Sequence, residues 1–115
     1  MLDIRRQNIN QVEILHLQGV LNAETSPLLE EVLQQISQMP LPMVLLCVED
    51  LEYISSAGMG CFIGAIGSIR KKGGDLRFAG MQPRVKRIFT LLDMEDFFPQ
   101  FDSMEKGLAS FSEGQ

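Results

Sequence analysis

Apolar positions along the chain fall into blocks whose period changes from two to about 3.6 and back. Leu2 and Ile4 alternate with polar residues, Asn8-Ile9-Asn10 offers turn chemistry, and Val12, Ile14, Leu15 and Leu17 follow, up to Gly19. This predicts two strands joined by a hairpin. Thr25-Ser26-Pro27 then sets a hydroxyl cap and a proline before Leu28, Leu29, Val32, Leu33 and Ile36, which recur at helical spacing through about Gln38. The predicted helix carries Glu30 and Glu31 toward its favourable N-terminal end, and Met39-Pro40-Leu41-Pro42 stops it.

Met43 to Val48 is an unbroken apolar run, the pattern of a strand covered on both faces. Residues 49–56 read as a connection ending in Ser55-Ser56. Met59, Phe62, Ile63, Ile66 and Ile69 then predict a helix with one apolar stripe, ending at Gly73-Gly74. Leu76 to Gly80 is short and strand-like, and Val85, Ile88, Phe89 and Leu92 mark a third helix opened near Pro83. Phe97 to Phe101 predicts an edge strand, because Pro99 cannot donate to a central ladder. Asp102-Ser103 caps a final short helix carrying Met104, Leu108 and Phe111. The alternation predicts an α/β fold. A hairpin followed by crossovers implies a mixed sheet of four to five strands, with about four helices mainly on one face.

The length of 115 residues fits one domain spanning residues 1–115. Apolar residues make up 45% and charged residues 22%, a composition that folds. The formal net charge of −5 works against general affinity for nucleic acid or anionic membrane, so no direct nucleic-acid partner is expected. Arg70, Lys71, Lys72, Arg77, Arg84, Lys86 and Arg87 nonetheless bunch together, either as a solvated face or as a basic patch for an acidic protein. Cys47 and Cys61 lie in apolar runs without metal or redox spacing and read as buried free thiols of a reducing compartment. The N-terminal residues lack an apolar signal core, and no run approaches the roughly 20 residues of a membrane span, so a cytoplasmic protein without membrane insertion is expected.

The chemistry of the chain concentrates in residues 50–60. Asp50-Leu51-Glu52-Tyr53-Ile54-Ser55-Ser56-Ala57-Gly58-Met59-Gly60 leaves a buried strand and enters a helix, where open α/β sheets usually meet ligands and partners. A serine there can simply cap the helix. If phosphorylated, it gains about −1.5 to −2 charge that the helix N-terminus stabilises. Ala57, Gly60, Cys61, Gly64 and Ala65 form a small-residue face on the same helix. Gly60, Gly64 and Gly67 each cost about 1 kcal/mol relative to alanine. Close packing within the domain and docking of another protein both account for that face.

Enzymatic readings fail on the residues available. The one histidine, His16, lies between Leu15 and Leu17 in a predicted strand, and Ile54 stands where a nucleophile elbow before Ser56 would need glycine. One histidine and two separated cysteines make no metal set. Gly58-x-Gly60-x-x-x-Gly64 is a loose dinucleotide fingerprint in a chain too short for a paired mononucleotide half. No catalytic residue, metal or cofactor is therefore expected.

The octapeptide Tyr53-Ile54-Ser55-Ser56-Ala57-Gly58-Met59-Gly60 resembles the signature of the STAS family, best known for bacterial anti-sigma factor antagonists. The resemblance extends to Leu17-Gln18-Gly19-Val20-Leu21-Asn22 before the first helix. It includes Gly73-Gly74-Asp75-Leu76-Arg77-Phe78-Ala79-Gly80 followed by Pro83-x-Val85. It implies a non-enzymatic partner switch. The unphosphorylated domain binds a serine-kinase-type anti-sigma factor and frees the sigma factor, and phosphorylation ends the interaction. In the family pattern Asp-Ser-Ser-Gly the acceptor follows the aspartate, which places Ser55 on the aspartate, Ser56 on the acceptor (Ser55 being the alternative) and Ala57 on the second serine. The implied partner surface comprises Asn22, Ser55, Ser56, Ala57, Gly58, Gly60, Cys61 and Gly64. Ser55, Asn22 and Cys47 each replace an acid common in the family. A second reading is therefore a constitutive STAS scaffold in a transporter or signalling complex, with Ser56 silent.

Overall fold

A computed structural model describes residues 1–112. Strand β1 (Leu2–Ile9) turns through Asn10 and Gln11, both at positive φ, into β2 (Val12–Leu21). Then follow α1 (Ser26–Ser37), β3 (Met43–Ile54), α2 (Ser56–Lys71), β4 (Asp75–Ala79), α3 (Pro83–Leu91), β5 (Gln100–Phe101) and α4 (Met104–Ser110). The five strands form one mixed sheet in chain order, with β1 antiparallel to β2 and every later pair parallel. The expected α/β architecture is thus present, with five strands and four helices among the described residues.

The run from Met43 to Val48 lies under cover on both sides, because its side chains alternate between two apolar clusters. Val44, Leu46 and Val48 join the larger one, where Leu29, Leu33 and Ile36 of α1, Met59, Phe62, Ile66 and Ile69 of α2, and Val85 and Phe89 of α3 pack on the sheet. Met43, Leu45 and Cys47 face the opposite side and meet Met104, Leu108 and Phe111 at α4. Three helices therefore share one face, and the last crosses to the other. Gly107 makes that crossing close: a Cβ there would meet the Leu45 side chain at 2.7 Å.

Several sequence expectations change. Thr25 makes no side-chain cap bond to α1, Leu28 of the α1 stripe is 54% exposed, and of Phe97–Phe101 only Gln100–Phe101 pairs as β5. Ile63, placed on the apolar stripe of α2, is 44% exposed, while Met59, Phe62, Ile66 and Ile69 are buried. Its angular position is one that α2 turns to solvent, so the stripe is narrower than the spacing suggested. Residues 49–54, read as connection, continue β3, pairing with β2 through Val20↔Tyr53 and Leu21↔Ile54 after two register shifts. Bulges of this kind let a strand extend past its apolar run while bending. The first turn of α1 holds no acid, so Glu30 and Glu31 lie beyond the main reach of the helix dipole.

Where β4 enters the sheet, a Cβ on Gly74 would overlap the Pro42 carbonyl, and the register next to it pairs Met43 with Asp75. Asp75 accepts from Arg70 at 3.0 Å and Arg77 at 2.9 Å. Burial pushes its pKa up, but the bonds from Arg77 and Arg70 outweigh that and hold it below the ordinary carboxylate range.

Candidate functional site

Parallel pairing of β2 and β3 brings two chain segments together at one end of the sheet. The Ser55 N–H donates to the Leu21 carbonyl at 2.9 Å, so the turn at Asn22 lies beside the start of α2. That turn is closed by its own side chain: Asn22 Oδ1 accepts from the N–H groups of Glu24 (3.0 Å) and Thr25 (3.1 Å). Asparagine forms this side-chain turn readily, which explains how the position keeps its shape without an acid.

The two serines have different roles. Ser55 is the N-cap, with extended backbone and an Oγ that accepts from the Gly58 N–H at 3.1 Å. Its carbonyl accepts from Met59. Ser56 occupies the first helical position, is exposed, and its hydroxyl has no hydrogen-bond partner among the described residues. Capping accounts for Ser55 and leaves Ser56 unexplained.

Gly58 and Cys61 do not present the surface expected of them. Gly58 is buried, and a Cβ there would press on Leu21 Cγ at 2.8 Å and the Leu21 carbonyl oxygen at 2.9 Å. Its role is to let α2 start tightly against the end of β2. Cys61 is only 5% exposed, with Sγ 3.6 Å from the Ser26 carbonyl and 3.8 Å from Glu30 Oε1. Burial, reinforced by Glu30, pushes its thiol up to about 11, and burial with Glu49 does the same for Cys47. Both cysteines are buried free thiols, neutral at physiological pH. His16 contacts Gln7 Oε1 at 3.1 Å, and its pKa is lowered by burial and then by Arg5.

Gly60, Gly64 and Gly67 are exposed, and a Cβ on any of them would meet nothing within 4 Å. The domain's own packing therefore does not require them. Gly60 and Gly64 instead open a groove of about 530 Å³ between α1 and α2, with Glu30, Gln34, Cys61 and Ala65 among its lining. Ser56, Gly60 and Gly64 are four residues apart, so Ser56 stands at the head of the row leading into it. Glu30 and Gln34 escaped the sequence reading, although their four-residue spacing, off the Leu29-Leu33-Ile36 stripe, was a signal for a shared face.

Three of the seven residues of the basic cluster are spent within the domain, while Lys71, Arg84, Lys86 and Arg87 stay exposed on its surface. Arg70 bonds Asp75 and the Phe97 carbonyl, Arg77 bonds Asp75 and Ser110 and lies 4.3 Å over the Phe111 ring, and Lys72 donates to the Ser37 carbonyl.

The family profile of the STAS domain matches residues 3–107. The chain belongs to the STAS domain family. Among curated relatives of this STAS chain is the anti-sigma-B factor antagonist of Bacillus subtilis, 25% identical over 103 residues, which cover 90% of the chain and 93% of that protein. The fold is shared with a putative anti-sigma factor antagonist from Thermotoga maritima, with a TM-score of 0.86 at 20% identity, covering 93% of this chain and 92% of that one. It is also shared with a Bacillus cell-fate determinant in its phosphorylated form, with a TM-score of 0.72 at 12% identity, covering 96% and 99%. No described helix of this STAS chain is long and apolar enough to cross a membrane.

Proposed function

We propose that the chain is a cytoplasmic, non-enzymatic anti-sigma factor antagonist that binds a serine-kinase-type anti-sigma factor and is released when that kinase phosphorylates Ser56. The observation that carries this reading is the contrast between the two serines: Ser55 is committed to the cap of α2, and Ser56 offers an exposed hydroxyl at the same helix start. A phosphate there meets the free N–H groups and positive end of a 16-residue helix, so the domain absorbs its charge. The names of the relatives, and the phosphorylated state of one structural neighbour, support the same reading.

The partner surface of this proposal is the row Ser56, Ala57, Gly60 and Gly64, the adjoining groove, and the flanking turn at Asn22. Gly58 and Cys61 support it from beneath. Incubation with ATP and the anti-sigma kinase, followed by peptide mass spectrometry, should place phosphate on Ser56, and Ser56→Ala should remove it. Phosphate on Ser55 would shift the acceptor by one residue. Phosphate on neither serine, with binding intact, would leave the constitutive scaffold in place of the switch.

The groove gives a separate test. Gly64→Leu adds bulk where a Cβ meets open space, and it replaces a helix-weakening glycine. Thermal stability should hold or rise by up to about 1 kcal/mol, while affinity for the anti-sigma factor falls. Equal affinity for the two folded proteins would remove the groove from the interface.

A further inference from the structure

The outer edge of β1 is open and self-complementary. Its pairing with β2 runs Ile9↔Val12, Gln7↔Ile14, Arg5↔His16 and Asp3↔Gln18 about a two-residue turn. In such a hairpin the pair next to the turn exchanges both backbone hydrogen bonds, and exchanging pairs alternate along the ladder. The Val20 N–H bond to the Met1 carbonyl, 3.0 Å, continues the same alternation. The backbone groups of Leu2, Ile4, Arg6 and Asn8 therefore point away from β2, and no described strand pairs with them. The ladder has no register shift and β1 has no proline, two common devices that blunt an edge. Beside it, Leu2, Ile4, Leu28 and Val32 line an apolar groove of about 330 Å³, rimmed by Glu31 and Gln35, and Leu28 is 54% exposed. This groove lies on the side of α1 away from α2.

We propose that this edge pairs antiparallel with the same edge of a second copy of the chain, about a twofold axis through Ile4. The register follows from charge. With Ile4 opposite Ile4 of the second copy, the outward backbone groups of both strands meet. Asp3 then falls opposite Arg5, and Arg5 opposite Asp3, on the face away from α1. Those two pairs are of the closer, non-hydrogen-bonded kind, in which side chains interact best. Registers centred on Asp3, Arg5 or Arg6 each set like charges opposite one another at the axis. Arg6 is already turned toward α1, bonding Gln35 and Glu13 at 3.1 Å each, and does not obstruct the edge. Pairing would join two sheets into one of ten strands and bring Leu28 and Val32 of both copies over the junction.

Sedimentation equilibrium across a concentration series tests this without reference to the anti-sigma factor. The wild type should show a monomer–dimer equilibrium. Asp3→Arg and Arg5→Asp should each set like charges across both pairs and raise the dimer dissociation constant at least about tenfold. An equimolar mixture of the two variants restores both opposite-charge pairs and should form a heterodimer with affinity near that of wild type. Asp3 and Arg5 are exposed, so both variants should keep the wild-type circular dichroism spectrum. A wild type that stays monomeric at every concentration would overturn the proposal and leave the edge to a strand of another protein. A dimer indifferent to either substitution, or variants that fail to associate when mixed, would overturn it as well.

Discussion

Phe62→Ala should destabilise the domain by about 3–5 kcal/mol, the usual range for removing a buried aromatic from a packed core. Phe62 is fully buried on α2 and meets Phe78 of β4 edge to face, with ring centroids 4.9 Å apart. Phe78 in turn meets Phe89 at 5.1 Å and Phe98 at 5.4 Å, and Phe62 reaches Phe98 at 6.3 Å. These four rings link α2, β4, α3 and the segment before β5, so truncating one leaves a cavity that three elements would have to move to fill. Aromatic contacts of this geometry add to the loss from burial alone. Urea unfolding of the two proteins measures the difference. A loss below about 1 kcal/mol would show that the core relaxes around the site far more readily than close packing allows.

Ser56→Asp should have the opposite profile. The side chain is exposed at the first position of α2, where a negative charge faces the helix's free N–H groups, so stability should stay within about 1 kcal/mol of wild type. Affinity for the anti-sigma factor should fall at least tenfold, about 1.4 kcal/mol, because a charge brought into an interface without a counter-ion loses its water and gains no partner. The exposed acids Glu49, Asp50 and Glu52 near the start of α2 add to the field an approaching partner meets. Calorimetric titration of the two proteins against the same anti-sigma factor measures the difference. Unchanged affinity would separate Ser56 from the interface.

Much of this was legible in the sequence because the decisive signals are local. The apolar run at Met43–Val48, the prolines near the starts of α1 and α3, and the serine caps of α2 and α4 each act within a few residues. Ser103 indeed accepts from the Lys106 N–H, as a cap should. Features set by distant partners were not legible. That β3 runs on to Ile54 depends on β2 lying alongside with two register shifts, and residues 49–54 carry no apolar run to announce it. The placement of α4 on the far face follows from Leu45, Cys47 and Ala79 needing cover there, a demand spread over two other strands. At the site, Ser55 and Ser56 look interchangeable in sequence. The bond that Ser55 Oγ accepts from the Gly58 N–H, and the exposure of Ser56, separate them in the structure. The three open glycines of α2 read equally as packing or docking residues until the space around them is known.

The double-sided burial of β3 also bears on how the sheet finds its alignment. A strand with one apolar face resists a one-residue slip, because the slip would expose every apolar side chain. The Met43–Val48 segment has no such protection, since a slip would exchange one apolar face for the other. Its alignment has to be enforced from outside the run. At one end, the bare Cα of Gly74 seats against the Pro42 carbonyl, and at the other, Glu49 and Asp50 reach solvent. Alignment of the central strand is thus a property of its two ends, and the apolar middle, which supplies much of the cohesion, is silent about where it belongs.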